Sequence, residues 1–391
     1  MVGKLKSYVQ VENKIQFEFE HFTTWIEVIN ENVFNVFAPI KYDERVSKAI
    51  EDLKVKSCQI SVMEVDGHVE IKTQTLCAKV YDEFKVDFYD VKTSALICED
   101  YRKERAPFKR SGNDGIAAEE GLGIETHTER HAIEVIKTML GDESFYGLGD
   151  KTGHLNKRGY AYEMWNTDDP KPHVESYKTL YKSIPFFITL RREAVFGIFF
   201  DNTFKSYFDM GKENDGYYYF GADSGNLNYY FIYGESMPDV VGEYTSLTGC
   251  TPLPQMWTLG YQQSRFSYAT ANRIEELMDK FLEYDIPCDV IHLDIHHMDA
   301  FKVFTFHPEN YPNPEALIAK AKARGIKLVP IVDPGVKKEI GYEVYDEGIA
   351  NGYFATDADG LPYVNRVWPG DALYPDFSNP KTRAWWGENH R

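Results

Sequence analysis

At 391 residues the chain is long enough for two or three domains with sizeable cores. Its formal net charge of -18 argues against a nucleic-acid backbone or an anionic membrane surface as partner. No apolar run has transmembrane length and the N-terminus lacks an apolar signal core. With five cysteines (Cys58, Cys77, Cys98, Cys250, Cys288) at no metal-knuckle spacing, this sets the expectation of a cytoplasmic protein with reduced thiols and no cofactor.

The first part of the chain reads as β. Ile15, Phe17 and Phe19 alternate with Lys14, Gln16, Glu18 and Glu20, the period of a half-buried strand. Asp66-Gly67 lies between two extended runs, 60–65 and 69–73, and signals a hairpin. Phe84, Val86 and Phe88 alternate again. Short strands then follow at 186–190, 195–200, 217–220 and 229–233. The pattern predicts one large antiparallel sandwich over residues 1–250. The 27 tyrosines and 25 phenylalanines fit both a large all-β domain and a carbohydrate site, which uses flat apolar rings.

Pro252 and Pro254 break this pattern. Residues 257–261 read as a strand. A helix over 271–284 follows, with Ile274, Leu277, Met278, Phe281 and Leu282 at helical spacing and Thr270 as its cap. Val290, Ile291 and Leu293 form a short buried strand ending on Asp294. A helix over 314–324 stops at Gly325, and a strand over 326–332 ends in Asp333-Pro334-Gly335. The β-α-β-α-β order predicts a parallel sheet, with its acids at the strand C-termini where α/β barrels carry ligand and catalytic groups. A closed barrel needs eight such units and about 250 residues. Only about 140 residues remain after residue 250. The expectation is therefore α/β plus all-β, with residues 251–391 forming the first three strand-helix units of a (β/α)8 barrel, or else a smaller open sheet.

Several stretches resemble glycoside hydrolase family 31, the α-glucosidase family. Leu293-Asp294-Ile295-His296-His297-Met298-Asp299 with Phe304-Thr305-Phe306 resembles its second barrel strand and loop. Ile331-Val332-Asp333-Pro334-Gly335-Val336 resembles the end of its third strand, and Val367-Trp368-Pro369-Gly370 the following loop. Phe145-Tyr146-Gly147-Leu148-Gly149 and Trp165-Asn166-Thr167-Asp168-Asp169-Pro170 resemble the N-terminal sandwich and its active-site loop. The resemblance spans roughly residues 140 to 391.

It implies hydrolysis of terminal, non-reducing α-linked glucose from oligosaccharides with retention, which needs two carboxyls about 5 Å apart. In the family both are aspartates at or after strands four and six. The Trp-x-Asp-Met-Asn-Glu-Pro nucleophile motif does not occur here, so both are expected beyond Arg391, in the remaining half of the barrel. The resemblance further assigns Asp294 to the glucose hydroxyls of subsite -1, with Ile295 packing on the same sugar. It places Phe266, Val336 and Trp368 around that subsite and Asp168 at the loop reaching it. A partner holding the missing strands, or a homo-oligomer, would cover the open sheet edge.

Other readings stand beside this one. The family form most often met, Asp-Ile-Asp-Tyr-Met, is altered at His296 and His297, which bears on the preferred sugar or linkage. An α-xylosidase form usually has Cys in place of Ile295; an α-glucan lyase is a further variant. A non-catalytic carbohydrate-binding fragment is a separate class, and an enzyme using Asp294 with Asp333 another. His292, His296 and His297 invite a metal reading but lack an obvious further ligand.

Overall fold

The alternation at the N-terminus forms the strand Lys14–Phe19, with Ile15, Phe17 and Phe19 buried and Gln16 and Glu18 exposed. The computed structural model describes residues 2–391 apart from Glu51, Glu104, residues 106–130, Pro170 and Lys171. Pro170, the last residue of the Trp165 motif, thus lies outside the described residues. Two units are present, Met1–Thr251 and Pro252–Arg391.

The first unit is built from antiparallel sheets. An eight-stranded sheet runs in spatial order Leu5–Val11, Lys14–Phe19, Thr23–Asn30, Val33–Ala38, Leu227–Gly234, Ala194–Phe200, Phe186–Arg191 and Ser144–Gly147. A four-stranded sheet is ordered Ile133–Thr138, Tyr217–Ala222, Ser206–Asp209, Ala161–Met164. A five-stranded meander covers Ser61–Val65, His68–Lys72, Leu76–Tyr81, Lys85–Asp90 and Leu96–Cys98. The Asp66-Gly67 turn joins its first two strands with Val65 opposite His68, and Gly67 takes the left-handed φ of 77° that such turns require.

Aromatic side chains fuse the three sheets. Phe88 of the meander stacks on Phe231 of the eight-stranded sheet with centroids 3.7 Å apart. Phe145 of that sheet meets Tyr218 of the four-stranded sheet at 5.0 Å. All four are fully or almost fully buried, and each such side chain contributes about 1.5–3 kcal/mol of transfer free energy. This explains the aromatic abundance as packing between sheets.

The second unit starts differently from the sequence expectation. The segment read as a strand over 257–261 is a 3-10 turn, Met256–Leu259, whose Thr258 N–H and hydroxyl both return to Gln255 O. Its apolar residues do not alternate across a sheet because the backbone closes into a turn there, and only Tyr261, past the turn, reaches the next strand, its carbonyl accepting the Asp289 and Val290 N–H groups. Pairing begins only at Gln262–Gln263, beside Val290 and Ile291.

Three parallel strands follow in the order Gln262–Gln263, Val290–Leu293, Lys327–Pro330. The third, Lys327–Pro330, is shorter than the expected 326–332, and Ile331 N–H makes its last ladder bond, to Leu293 O at 2.9 Å. Helix Ala271–Glu283 connects the first two, capped by Thr270 Oγ1 on Arg273 N–H at 3.2 Å. Its Ile274 and Met278 are buried, whereas Leu282 on the same apolar pattern is exposed. Helix Pro314–Ala323 connects the second and third strands, capped by Asn313 and stopped by Gly325 at φ 76°. Beyond the third strand lie helix Glu343–Asn351, an antiparallel hairpin (Val364–Val367 with Gly370–Leu373) that pairs with Val336–Lys337, and helix Pro380–Glu388. The barrel sheet is open among the described residues.

Candidate functional site

The second barrel strand delivers Asp294. Val290, Ile291 and Leu293 anchor that strand in the core, and the chain leaves it at Asp294, which is half-buried. The carboxylate caps a single 3-10 turn, Ile295–His297, with Oδ1 accepting the Ile295 N–H at 2.8 Å. The Asp294 carbonyl accepts the His297 N–H at 3.0 Å and faces His297 Nδ1 at 2.9 Å. One carboxylate oxygen therefore sets the turn, and the other has no hydrogen-bond partner among the described residues.

His297 is buried, and that burial, ahead of the opposing pull of Asp294, holds its imidazole below the ordinary pKa. A neutral ring donating from Nδ1 to the Asp294 carbonyl satisfies the contact. His296, the next-door imidazole, stands edge-on between Phe266 (centroids 5.3 Å) and Phe301 (5.6 Å). Its Nδ1 is buried without a hydrogen-bond partner among the described residues.

The third strand brings a second acid to the same end of the sheet. Leu293 lies opposite Pro330 in the parallel register, so Asp294 and Asp333 follow adjacent strand ends. Burial first, and then the negative charge of Asp294, push the Asp333 carboxyl above its ordinary pKa. The two acids share one electrostatic environment. Gly335 allows the chain to turn past them: a Cβ there would sit 2.7 Å from Val367 Cγ2 of the hairpin.

The other predicted residues have distinct surroundings. Phe266, after the first strand, is 73% exposed, and Trp368, at the tip of the hairpin, is 64% exposed, so both offer rings to solvent. Ile295 is buried beside Met298 and Val303. Val336 is fully buried in the same cluster and presents no free surface. The aliphatic side chain that does remain partly exposed at the mouth of the third strand is Ile331, which sequence reasoning passed over as a strand residue. Asp168 belongs to the first unit, where it is exposed, and the nearby Tyr181 hydroxyl donates to the carbonyl of the next residue, Asp169, at 3.2 Å.

The metal reading finds no support in the geometry. His292 Nε2 is 2.9 Å from Gln262 Oε1, and His297 is engaged with the Asp294 carbonyl. No cluster of three potential ligands occurs among the described residues.

Two family descriptions match this chain: the Glycosyl hydrolases family 31 TIM-barrel domain over residues 251–391, and the Glycosyl hydrolase 31 N-terminal galactose mutarotase-like domain over residues 23–209. The chain belongs to glycoside hydrolase family 31.

This family 31 chain is 38% identical over 396 aligned positions to "Alpha-glucosidase 2" of Bacillus thermoamyloliquefaciens, a match covering 100% of this chain and 47% of that protein. It is 34% identical over 265 positions to an alpha-glucosidase of Saccharolobus solfataricus, covering 68% of this chain and 38% of the relative. Among solved structures, a family 31 dextranase from Flavobacterium johnsoniae complexed with glucose superposes with a TM-score of 0.84 at 29% identity, covering 100% of this chain and 46% of that one. The chain thus spans about half, or less, of the length of these relatives. Its architecture is the family 31 N-terminal mutarotase-like domain followed by the opening part of the TIM barrel.

Proposed function

We propose that the protein is a retaining α-glucosidase that removes terminal, non-reducing α-linked glucose from oligosaccharides. The observation that carries this reading is Asp294: a carboxylate at the C-terminal end of a barrel strand, with one oxygen committed to its own turn and the other available to sugar hydroxyls. The relatives named alpha-glucosidase support the substrate class. Phe266 and Trp368 are suited to stack on the glucose ring, Ile295 backs the turn, and Asp168 belongs to the loop that reaches the site in the resemblance. Val336 would act through packing rather than contact. Retention requires a nucleophile and an acid/base about 5 Å apart. We assign both to the portion of the relatives beyond the matched region.

The test is release of p-nitrophenol from p-nitrophenyl α-glucoside by this polypeptide alone and after joining it to the downstream portion of the barrel. Turnover is expected only in the joined protein. There, Asp294→Asn should lower kcat/KM by about 10- to 100-fold, the range for losing a hydrogen bond to a charged group. Robust turnover by the polypeptide alone would overturn this placement of the catalytic pair.

A second reading is favoured by the raised Asp333 carboxyl near Asp294, since an acid held above its ordinary pKa beside a second carboxyl suits general acid/base work. It predicts equal losses from Asp294→Asn and Asp333→Asn with the fold intact. The α-glucosidase reading predicts that Asp333→Asn acts mainly on stability.

A further inference from the structure

The loop that follows Asp294 holds a costly backbone conformation. Ala300, Phe301 and Phe304 have φ of 47°, 61° and 63°, the left-handed region that residues with a Cβ avoid. Such a conformation persists only where its surroundings over-determine it. The surroundings here are specific. The Thr305 hydroxyl accepts the Asp299 N–H at 3.0 Å and donates to Lys302 O at 2.6 Å. The Tyr342 hydroxyl donates to Val303 O at 2.7 Å, and Val303 is buried.

Lys302 sits in the middle of this segment. Its ammonium pairs with Asp299 Oδ2 at 2.7 Å and with Glu339 Oε1 at 3.5 Å, and Glu339 Oε2 pairs with Lys337 Nζ at 2.9 Å. Two cations and two carboxylates form one neutral chain. The two cations are the more shielded members, with side chains 18% and 21% exposed against 38% for Asp299 and 42% for Glu339. Asp299 belongs to the segment after Asp294, while Lys337 and Glu339 belong to the segment after Asp333. The link therefore spans two barrel-strand ends rather than one helix face. An isolated surface pair contributes little; a network anchored on a strained loop does more, because it selects one loop conformation.

We propose that Lys302 is a positioning residue for the Asp294 site: its link through Glu339 locks the loop after the second strand onto the segment after the third, and so orients the turn that presents the Asp294 carboxylate. This rests on the reading that Asp294 binds sugar. Lys302 itself touches no ligand.

The experiment uses hydrogen exchange of individual amides in the present chain, comparing wild type with Lys302→Met, Lys302→Arg and Glu339→Gln. The decisive amides are Ile295, bonded to Asp294 Oδ1, and His297, bonded to Asp294 O. Both should exchange about 5-fold faster or more in Lys302→Met and Glu339→Gln, with the amides of strand Val290–Leu293 unchanged. Lys302→Arg should restore protection. Glu339→Gln breaks the link without altering the strained loop, so it decides the matter even if Lys302→Met fails to fold. Unchanged Ile295 and His297 exchange in folded Glu339→Gln would overturn the proposal. In parallel, maltose affinity should fall by a similar factor in both link-breaking variants. If wild type joined to the downstream portion of the barrel shows no maltose binding, the sugar role of Asp294 fails, while the exchange result still scores the link on its own.

Discussion

The Phe266 ring stands edge-on to the His296 imidazole, with centroids 5.3 Å apart and planes at 83°. Phe266 follows the first barrel strand and His296 the second, so this contact registers one loop against the next. Edge-to-face pairs are worth about 0.5–1.5 kcal/mol. Phe266 is otherwise open to solvent, so its truncation removes little buried surface. Phe266→Ala should cost the second unit no more than that pair, about 0.5–1.5 kcal/mol, while weakening glucoside binding by about 2- to 10-fold. Calorimetric titration beside thermal denaturation checks both halves. A large stability loss with intact affinity would make Phe266 a packing residue only.

The buried His297 imidazole gives the Asp294 turn a pH dependence. Its folded pKa lies below the 6.5 of the free side chain. The unfolded chain therefore binds the extra proton first as pH falls. The stability of the turn is fully present above 6.5 and is lost progressively on acidification below it. Relative to the intrinsic rate at each pH, the protection of the Ile295 and His297 amides should fall between pH 7 and 5, while that of strand Val290–Leu293 should not. His297→Asn, which keeps a donor but does not titrate in this range, should flatten the difference.

Glu70 in the first unit titrates in the opposite sense. Lys72 is its chief partner, with Lys79 at 3.1 Å and His68 at 3.3 Å, and together they outweigh burial and hold its carboxyl down to about 2 from 4.5. A depressed acid contributes stability that is present above its unfolded pKa and lost as pH falls from 4.5 toward 2. The contribution is about 1–3 kcal/mol, allowing for solvent around Lys72. Glu70→Gln should cost that amount in urea denaturation at pH 7 and converge on wild type near pH 2. A penalty that persists unchanged at pH 2 would point to packing rather than charge.

The Lys137 ammonium is fully buried and pairs with Asp100 Oδ1 at 2.8 Å inside the first unit. Lys137 lies on Ile133–Thr138, and Asp100 also accepts the Val86 N–H of the meander at 2.6 Å. Removing either charge strands the other in a low-dielectric site. Lys137→Met should destabilise the unit by about 3–5 kcal/mol, and Lys137→Met combined with Asp100→Asn should recover much of it. Chemical denaturation of the two single variants and the double variant measures the coupling.

The strands of the first unit were legible because alternation along Lys14–Phe19 and the Asp66-Gly67 turn are local signals. So were the helix caps at Thr270 and the stop at Gly325. Residues 257–261 were not, because apolar content does not say whether the backbone extends or closes into a turn, and here Thr258 returns to Gln255 O. Val336 and Ile331 show the same limit at the site: one aliphatic residue is wholly buried and the other partly open, although both sit in the same short motif. Leu282 carries the helical apolar pattern yet faces solvent.

By itself, the sequence determined the resemblance to the family, through its motifs, and the placing of Asp294 and Asp333 at strand ends, which follows from residue types and their spacing along the chain. Only the tertiary structure decided that one Asp294 oxygen is spent on its own turn, that His296 lacks a partner for Nδ1, and that Lys302 ties two loops together through Glu339. Those relations depend on side-chain direction and on contacts between residues distant in sequence, which no local pattern encodes.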